Sequence, residues 1–280
     1  MANATFHTDT FTFPEEYRVS GASDTVYLRY LKVNHRDIRL RYLANGETVK
    51  NSGYYGVNGT YNDMGPNLVG IAIDSGEYIR SSSKVGYNGE QNRNPAIECG
   101  TFAVLDQPTN GVALLTDDIA TYHNHIYTVG SAQITLTKEN ALMAIGGTSL
   151  YPSEELTQSE FINRIKTQDP GGGASGIAAR TAIIYIGGSW TGLNTVLLTV
   201  HSDANESSVY DDGITFWQLR YLINTYFGAQ TPSGVGPIVH AIALDGGRST
   251  QIAYKKADGT TGAYQVEGDR PARSMLCVPM

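Results

Sequence analysis

Apolar and polar side chains alternate through residues 25–43 in the way a half-buried strand requires. Thr25–Val33 is dense in β-branched and aromatic residues, and Ile38, Leu40 and Tyr42 are interleaved with Asp37, Arg39 and Arg41. Period-two alternation puts one set on each face of a sheet, so both stretches are predicted to be strands. Asn45-Gly46 and Asn88-Gly89 are hairpin-type turn signals. Ile126–Val129 and Ala132–Leu136 flank Gly130-Ser131, which predicts a tight hairpin. Up to about residue 150 the chain reads as short strands.

The period lengthens at Thr157. Thr157 and Glu160 form a capping box, and Phe161, Ile162 and Ile165 follow on one helical face. This helix should stop before Asp169-Pro170. The next run, Gly171–Gly176, matches G-x-G-x-x-G by letter, but a dinucleotide turn needs a strand before it and a helix after it. Here a helix precedes and the strand-like Ile183–Ile186 follows, so the run is read as a mobile loop. Thr195–Val200 is an unbroken apolar run and predicts a buried strand. Thr215 and Gln218 form a second capping box. Phe216, Leu219, Leu222, Ile223 and Tyr226 then recur at helical spacing, with Gly228 placed to close the helix. Ile238–Leu244, another buried strand, runs into Asp245-Gly246-Gly247-Arg248-Ser249-Thr250.

Composition narrows the class. The 280 residues include 31 glycines and 18 tyrosines with only 17% charged residues, which fits strands and tight turns and excludes a helical bundle, coiled coil or disordered tail. The fold expected is α+β: a β-rich single domain built on a mixed sheet, with a few helices. Residues 50–280 form its body, and an N-terminal β segment, 1–49, packs on it as an edge strand or a homo-oligomer contact. A net charge of −7 argues against a nucleic-acid polymer as partner. No apolar run reaches membrane-spanning length, and the N-terminus lacks the basic and apolar regions of a secretion signal. The expected location is the cytoplasm or a phage virion. Cys99 and Cys277 are read as two buried thiols.

Three corners carry candidate chemistry. In the 245–250 turn Asp245 supplies a carboxylate, Gly246 and Gly247 let backbone N–H groups approach a ligand, Arg248 adds a cation, and Ser249 and Thr250 add hydroxyls. A plain turn with a solvated charge pair fits the same letters. Val57–Asp63 is a second polar corner, with Asn58 and Gly59. Ala179–Ile183 sets Arg180 at the entrance of a buried strand, where a charge requires an anionic partner in the protein or in a ligand. His123 and His125 share one strand face as a candidate metal pair, but with no third ligand near them a satisfied surface pair is the favoured reading. Tyr54, Tyr55 and Tyr61 either stack on a sugar or pack.

In this order, Asn58-Gly59 with Tyr61, Arg180-Thr181-Ala182-Ile183, the Thr215-capped helix, Leu244-Asp245-Gly246-Gly247 with Ser249-Thr250, and Arg270-Pro271 before the last strand resemble the phosphodiester glycosidase family. The resemblance covers roughly residues 50–280 and is strongest from Arg180 onward. It implies hydrolysis of a glycosidic bond whose leaving group is a phosphodiester, with a small phosphorylated glycoside as partner. Such a group departs as a stabilised anion, so the general acid of ordinary glycosidases matters less than holding the phosphate and stabilising an oxocarbenium-like centre. The resemblance makes Asp245 the central carboxylate, puts Arg180, Arg248, Gly59 and the 246–250 turn on the phosphate, and has Asn58 fix the sugar or water. No cofactor is expected; a divalent metal stays open, without support from the sequence.

Departures are informative. His201-Ser202-Asp203 stands where relatives carry Asp-Gly-Arg, making His201 and Asp203 candidate bases or, for His201, a surface strand end. Asn62 replaces a packing aromatic, and Arg248 a third glycine. Two other readings stay open: a binding module that sequesters a phosphorylated sugar or nucleotide-derived ligand, and a phage structural component.

Overall fold

The computed structural model describes residues 4–44, 46–61, 68, 71–79, 99–105, 119–123, 126–129, 134–136, 138–166, 168, 176–187, 192–202, 213–230, 240–266 and 271–278. In chain order the strands are β1 (Thr5–Thr12), β2 (Thr25–Val33), β3 (Arg39–Tyr42), β4 (Tyr55–Asn58), β5 (Ala72–Asp74), β6 (Glu77–Tyr78), β7 (Cys99–Leu105), β8 (Ile119–His123), β9 (Ile126–Val129), β10 (Ile134–Leu136) and β11 (Ala141–Ser149). Helix α1 (Gln158–Ile165) precedes β12 (Arg180–Tyr185) and β13 (Thr195–His201). Helix α2 (Phe216–Leu222) precedes β14 (His240–Ala243), β15 (Gln251–Lys255), β16 (Thr261–Gln265) and β17 (Ser274–Val278).

The strands form two sheets. The larger follows the order β1-β2-β13-β12-β14-β11-β7-β8-β9-β10, with β5 also on β11 and β6 on β5; the smaller follows β16-β15-β4-β17-β3. Residues 1–49 supply β1 and β2 to the first and β3 to the second. The 126–136 hairpin forms, with Ile134 opposite Val129; its turn, 130–133, lies outside the described residues, as do Asn45, Asn88-Gly89 and Gly171–175.

Alternation along β13 explains the layering. Val196, Leu198 and Val200 join the core under α1 and α2, whereas Leu197 joins the core between the two sheets. Both helices begin with the expected capping boxes, at Thr157–Glu160 and Thr215–Gln218. Each cap contributes about 1 kcal/mol. Burial of Phe161, Ile165, Phe216 and Leu219 at full or nearly full depth adds about 1.5–3 kcal/mol per side chain.

One expected stop is displaced. Gly228 does not close its helix: its φ is −58°, and the chain continues from α2 through a π-helical turn, Ile223–Phe227, into a tight turn, Gly228–Gln230. The end is held instead by the Gln230 side chain. Its amide donates to Tyr226 O at 3.3 Å and its carbonyl accepts from Lys32 Nζ at 2.8 Å. Among the described residues no helix is long and apolar enough to cross a membrane.

Candidate active site

The registers bring the three polar corners to one end of the sandwich. Arg180 is opposite Val200, Tyr27 is opposite His201, and Ala182 is opposite Ala243, two residues before Asp245. Asn58 closes β4 at the same place, opposite Met275 of β17.

Asn58 ties these corners together. The residue is 1% exposed. Its Nδ2 donates to Asp245 O at 2.7 Å, and its Oδ1 accepts from Thr181 Oγ1 at 2.7 Å and from Gln251 N at 2.9 Å. One carboxamide thus joins both sheets and the turn after β14. Main-chain bonds reinforce it: Asp245 N donates to Gly59 O at 3.1 Å, Leu244 N to Thr181 O at 2.8 Å, Gly247 N to Ala179 O at 2.8 Å, and Gly59 N to Ser274 O at 2.8 Å. A Cβ at Gly59 would lie 2.4 Å from Ser274 Oγ, so any larger residue there displaces that hydroxyl. Asp245 is half-buried, with its backbone fixed on both sides. Arg248 lies in a tight turn, Gly247–Ser249, also half-buried.

Near this bonded frame two buried hydroxyls are left unbonded among the described residues. Thr250 is fully buried and Ser274 is 1% exposed. Neither Thr250 Oγ1 nor Ser274 Oγ has a hydrogen-bond partner among the described residues. Buried hydroxyls are ordinarily bonded, so these two are exceptions that call for a partner.

Arg180 is 7% exposed. Its Nε donates to Ile214 O at 2.9 Å, its Nη2 donates to Gly176 O, and its guanidinium lies 3.9 Å from the Phe216 ring centre. The partners described are carbonyl oxygens and an aromatic face.

His201 is not a surface strand end; it is fully buried. Its ring stacks on Tyr264 with centroids 3.8 Å apart. Arg29 Nη1 contacts its Nε2 and lies 3.1 Å from its Nδ1, and the guanidinium sits over the same tyrosine, with Cζ 4.4 Å from the ring centre. A guanidinium only donates, so the imidazole nitrogen it bonds is the acceptor. Asp203 lies outside the described residues, as do Asn62, His125 and Arg270.

Three other side chains answer questions left open by the sequence. Tyr54 is covered by the Arg41 guanidinium at 4.0 Å, and Tyr61 OH pairs with Thr148 Oγ1 at 3.2 Å. Tyr55 packs against the inter-sheet core. Cys277 is a free buried thiol, pushed up to about 12 by burial; nothing is described of the Cys99 side chain. Among the described residues no three His, Cys, Asp or Glu side chains are grouped to hold a metal ion. A shallow groove lined by Tyr17, Glu154, Trp217 and Arg220 lies against the helices and shares no lining residue with the three corners.

Sequence reasoning assigned no role to Thr181, although it stands in the Arg180-Thr181-Ala182-Ile183 motif, nor to Gln251, Ser274, Arg29 and Tyr264. Thr181 and Gln251 directly follow flagged residues, so their presence was inferable. Arg29 and Tyr264 lie inside ordinary strand patterns, and only the assembled sandwich brings them to His201.

The chain is similar over 98% of its length to a hypothetical protein from Synechocystis of known structure, at 12% identity and a TM-score of 0.49, and it spans 62% of that protein. It is also similar, over 91% of its length and 74% of the other chain, to a protein from Burkholderia pseudomallei, at 14% identity and a TM-score of 0.42. No curated protein matches the chain. The model of one family, phosphodiester glycosidase, matches residues 51–278, a span holding β4, both helices and all three corners. By that match the chain belongs to the phosphodiester glycosidase family.

Proposed function

We propose that this protein hydrolyses the glycosidic bond of a sugar-1-phosphodiester or a related phosphate-bearing glycoside, at the end of the sandwich where the Asn58, Arg180 and Asp245 corners meet. Family membership supports the glycosidase-type class. The observation that carries the site is the half-buried Asp245, its backbone clamped by Asn58 and Gly59, at the same corner as Thr250, a fully buried residue whose hydroxyl is unbonded among the described residues.

Each role follows from chemistry. Asp245 stabilises the oxocarbenium-like centre, as nucleophile or as fixed negative charge. Arg248 pairs with phosphate oxygens, and Thr250 and Ser274 donate hydrogen bonds to the bound ligand. Phosphate leaves as an anion, so no strong general acid is required. Asn58 and Arg180 act as positioning residues, because their described polar bonds go to the protein.

The experiment is incubation with a panel of glycosyl phosphodiesters and nucleotide sugars, followed by phosphorus NMR. New phosphate and sugar signals are expected, with turnover reduced about 100-fold or more in Asp245→Asn. Wild-type turnover in that variant would contradict the assignment. A sequestering protein is the second reading, supported by His201, which is closed off under Arg29 and Tyr264. That reading predicts intact ligand released on denaturation and no products.

A further inference from the structure

Strand β1 is the outer edge of the large sheet, and among the described residues its ladder is with β2. It runs from Thr5 opposite Lys32 to Thr12 opposite Thr25 with no shift in register. Edge strands are ordinarily blunted by a lysine, a proline or a bulge. The sequence TFHTDTFT contains no lysine or proline, and the ladder contains no bulge.

Two hydrogen bonds establish which backbone groups point outward. Phe13 N donates to Asp24 O at 2.8 Å, one step beyond the ladder and in its register, so odd-numbered residues address β2. Thr10 N donates instead to the neighbouring Asp9 Oδ1 at 2.8 Å. Backbone groups alternate sides along an antiparallel strand, so Phe6, Thr8, Thr10 and Thr12 present theirs at the open edge.

We propose that this edge pairs with the same edge of a second copy of the chain, two β1 strands running antiparallel about a two-fold axis at Thr8. Parity and charge select that axis. Outward-pointing residues must face outward-pointing residues, so the axis passes at a residue, not between two. An axis at Asp9 would set the two Asp9 carboxylates opposite each other, and one at His7 would set two imidazoles opposite each other and shorten the overlap. At Thr8, His7 of each copy faces Asp9 of the other, and Phe6 faces Thr10.

The groups are held ready for this. His7 stacks on Tyr30 with centroids 5.1 Å apart, and Asp9 accepts a hydrogen bond from Tyr226 OH. Pairing transfers the Thr10 N–H from Asp9 to a carbonyl of the other chain, which releases Asp9 Oδ1 to meet His7. The large sheet then continues through both copies, burying the edge that is otherwise a site for uncontrolled association.

Native mass by light scattering across a concentration series tests this, with cysteine cross-linking to read the register. Wild-type mass should rise from one chain toward two. Thr8→Pro, which removes one outward N–H and leaves the β2 ladder intact, should remain monomeric throughout. Under oxidation Thr8→Cys should give a disulfide-linked dimer, because facing residues in a hydrogen-bonded pair lie about 5.5 Å apart at Cα, within disulfide reach. Thr10→Cys should not, because its own copy lies four residues along the strand, roughly 13 Å away. A wild-type chain monomeric at every concentration, a dimer undiminished in Thr8→Pro, or equal cross-linking at positions 8 and 10 would each overturn the proposal.

Discussion

The Asn58 corner and the Thr250–Ser274 corner adjoin, yet they treat buried polar atoms in opposite ways. Asn58 has both ends of its carboxamide bonded to the protein, across β12, β15 and the turn after β14. Thr250 and Ser274 are as deeply buried, and their hydroxyls have no partner among the described residues. Leaving a buried donor unmade costs about 1–3 kcal/mol, and under the proposed function that contrast is the reason to expect ligand contact at the second corner. On that reading the first corner acts as a latch and the second as the place of ligand contact.

If Asn58 is the latch, Asn58→Ala should give the largest loss of stability, about 3–5 kcal/mol, because it strands the Thr181 hydroxyl, the Gln251 N–H and the Asp245 carbonyl together. Urea unfolding measures it, and a loss below about 1 kcal/mol would break the contrast. Arg180→Ala should cost less, about 2–3 kcal/mol, through its carbonyl bonds and its packing on Phe216. Melting experiments with and without a bound glycosyl phosphodiester would show the same loss in both if its role is positional.

Thr250→Val should behave in the reverse manner. Removing an unbonded buried hydroxyl should leave stability within about 1 kcal/mol of wild type, while turnover or ligand affinity falls about tenfold. Equal effects on stability and activity would assign Thr250 to the latch. The smallest effect is expected far from both corners, at His35. This fully buried ring is held below its ordinary 6.5 chiefly by desolvation, opposed by the Asn194 hydrogen bond at 2.9 Å. The unfolded chain binds a proton near 6.5 that the folded chain resists, so stability is full above that pH and declines as pH falls toward the folded value. Unfolding midpoints at about pH 7.5 and about pH 5.5 should differ, and His35→Gln should narrow the difference.

Local rules made much of the architecture legible in advance. Capping boxes at Thr157 and Thr215 and the apolar runs at 183–186 and 195–200 became the elements they predict, because each depends on neighbouring residues. Gly228 failed as a stop because Gln230 and Lys32, separated by almost 200 residues, hold that end in its place. The same limit applied at the candidate site. Motif order named Asn58, Arg180 and Asp245, but their bonding partners Thr181, Gln251 and Ile214 come from other strands and turns. His201 was read as either a base or a surface residue, and its enclosure by Arg29 and Tyr264 depends on β2 and β16 reaching the same end of the sandwich.

The contrast between latch and open corner is tested most directly by titrating a glycosyl phosphodiester into isotope-labelled protein and following backbone amides. The account predicts shifts concentrated at Gly59, Arg248, Thr250 and Ser274, lost in Asp245→Asn or Thr250→Val. Shifts gathered instead along the helix-side groove, at Tyr17, Glu154 and Trp217, would contradict it.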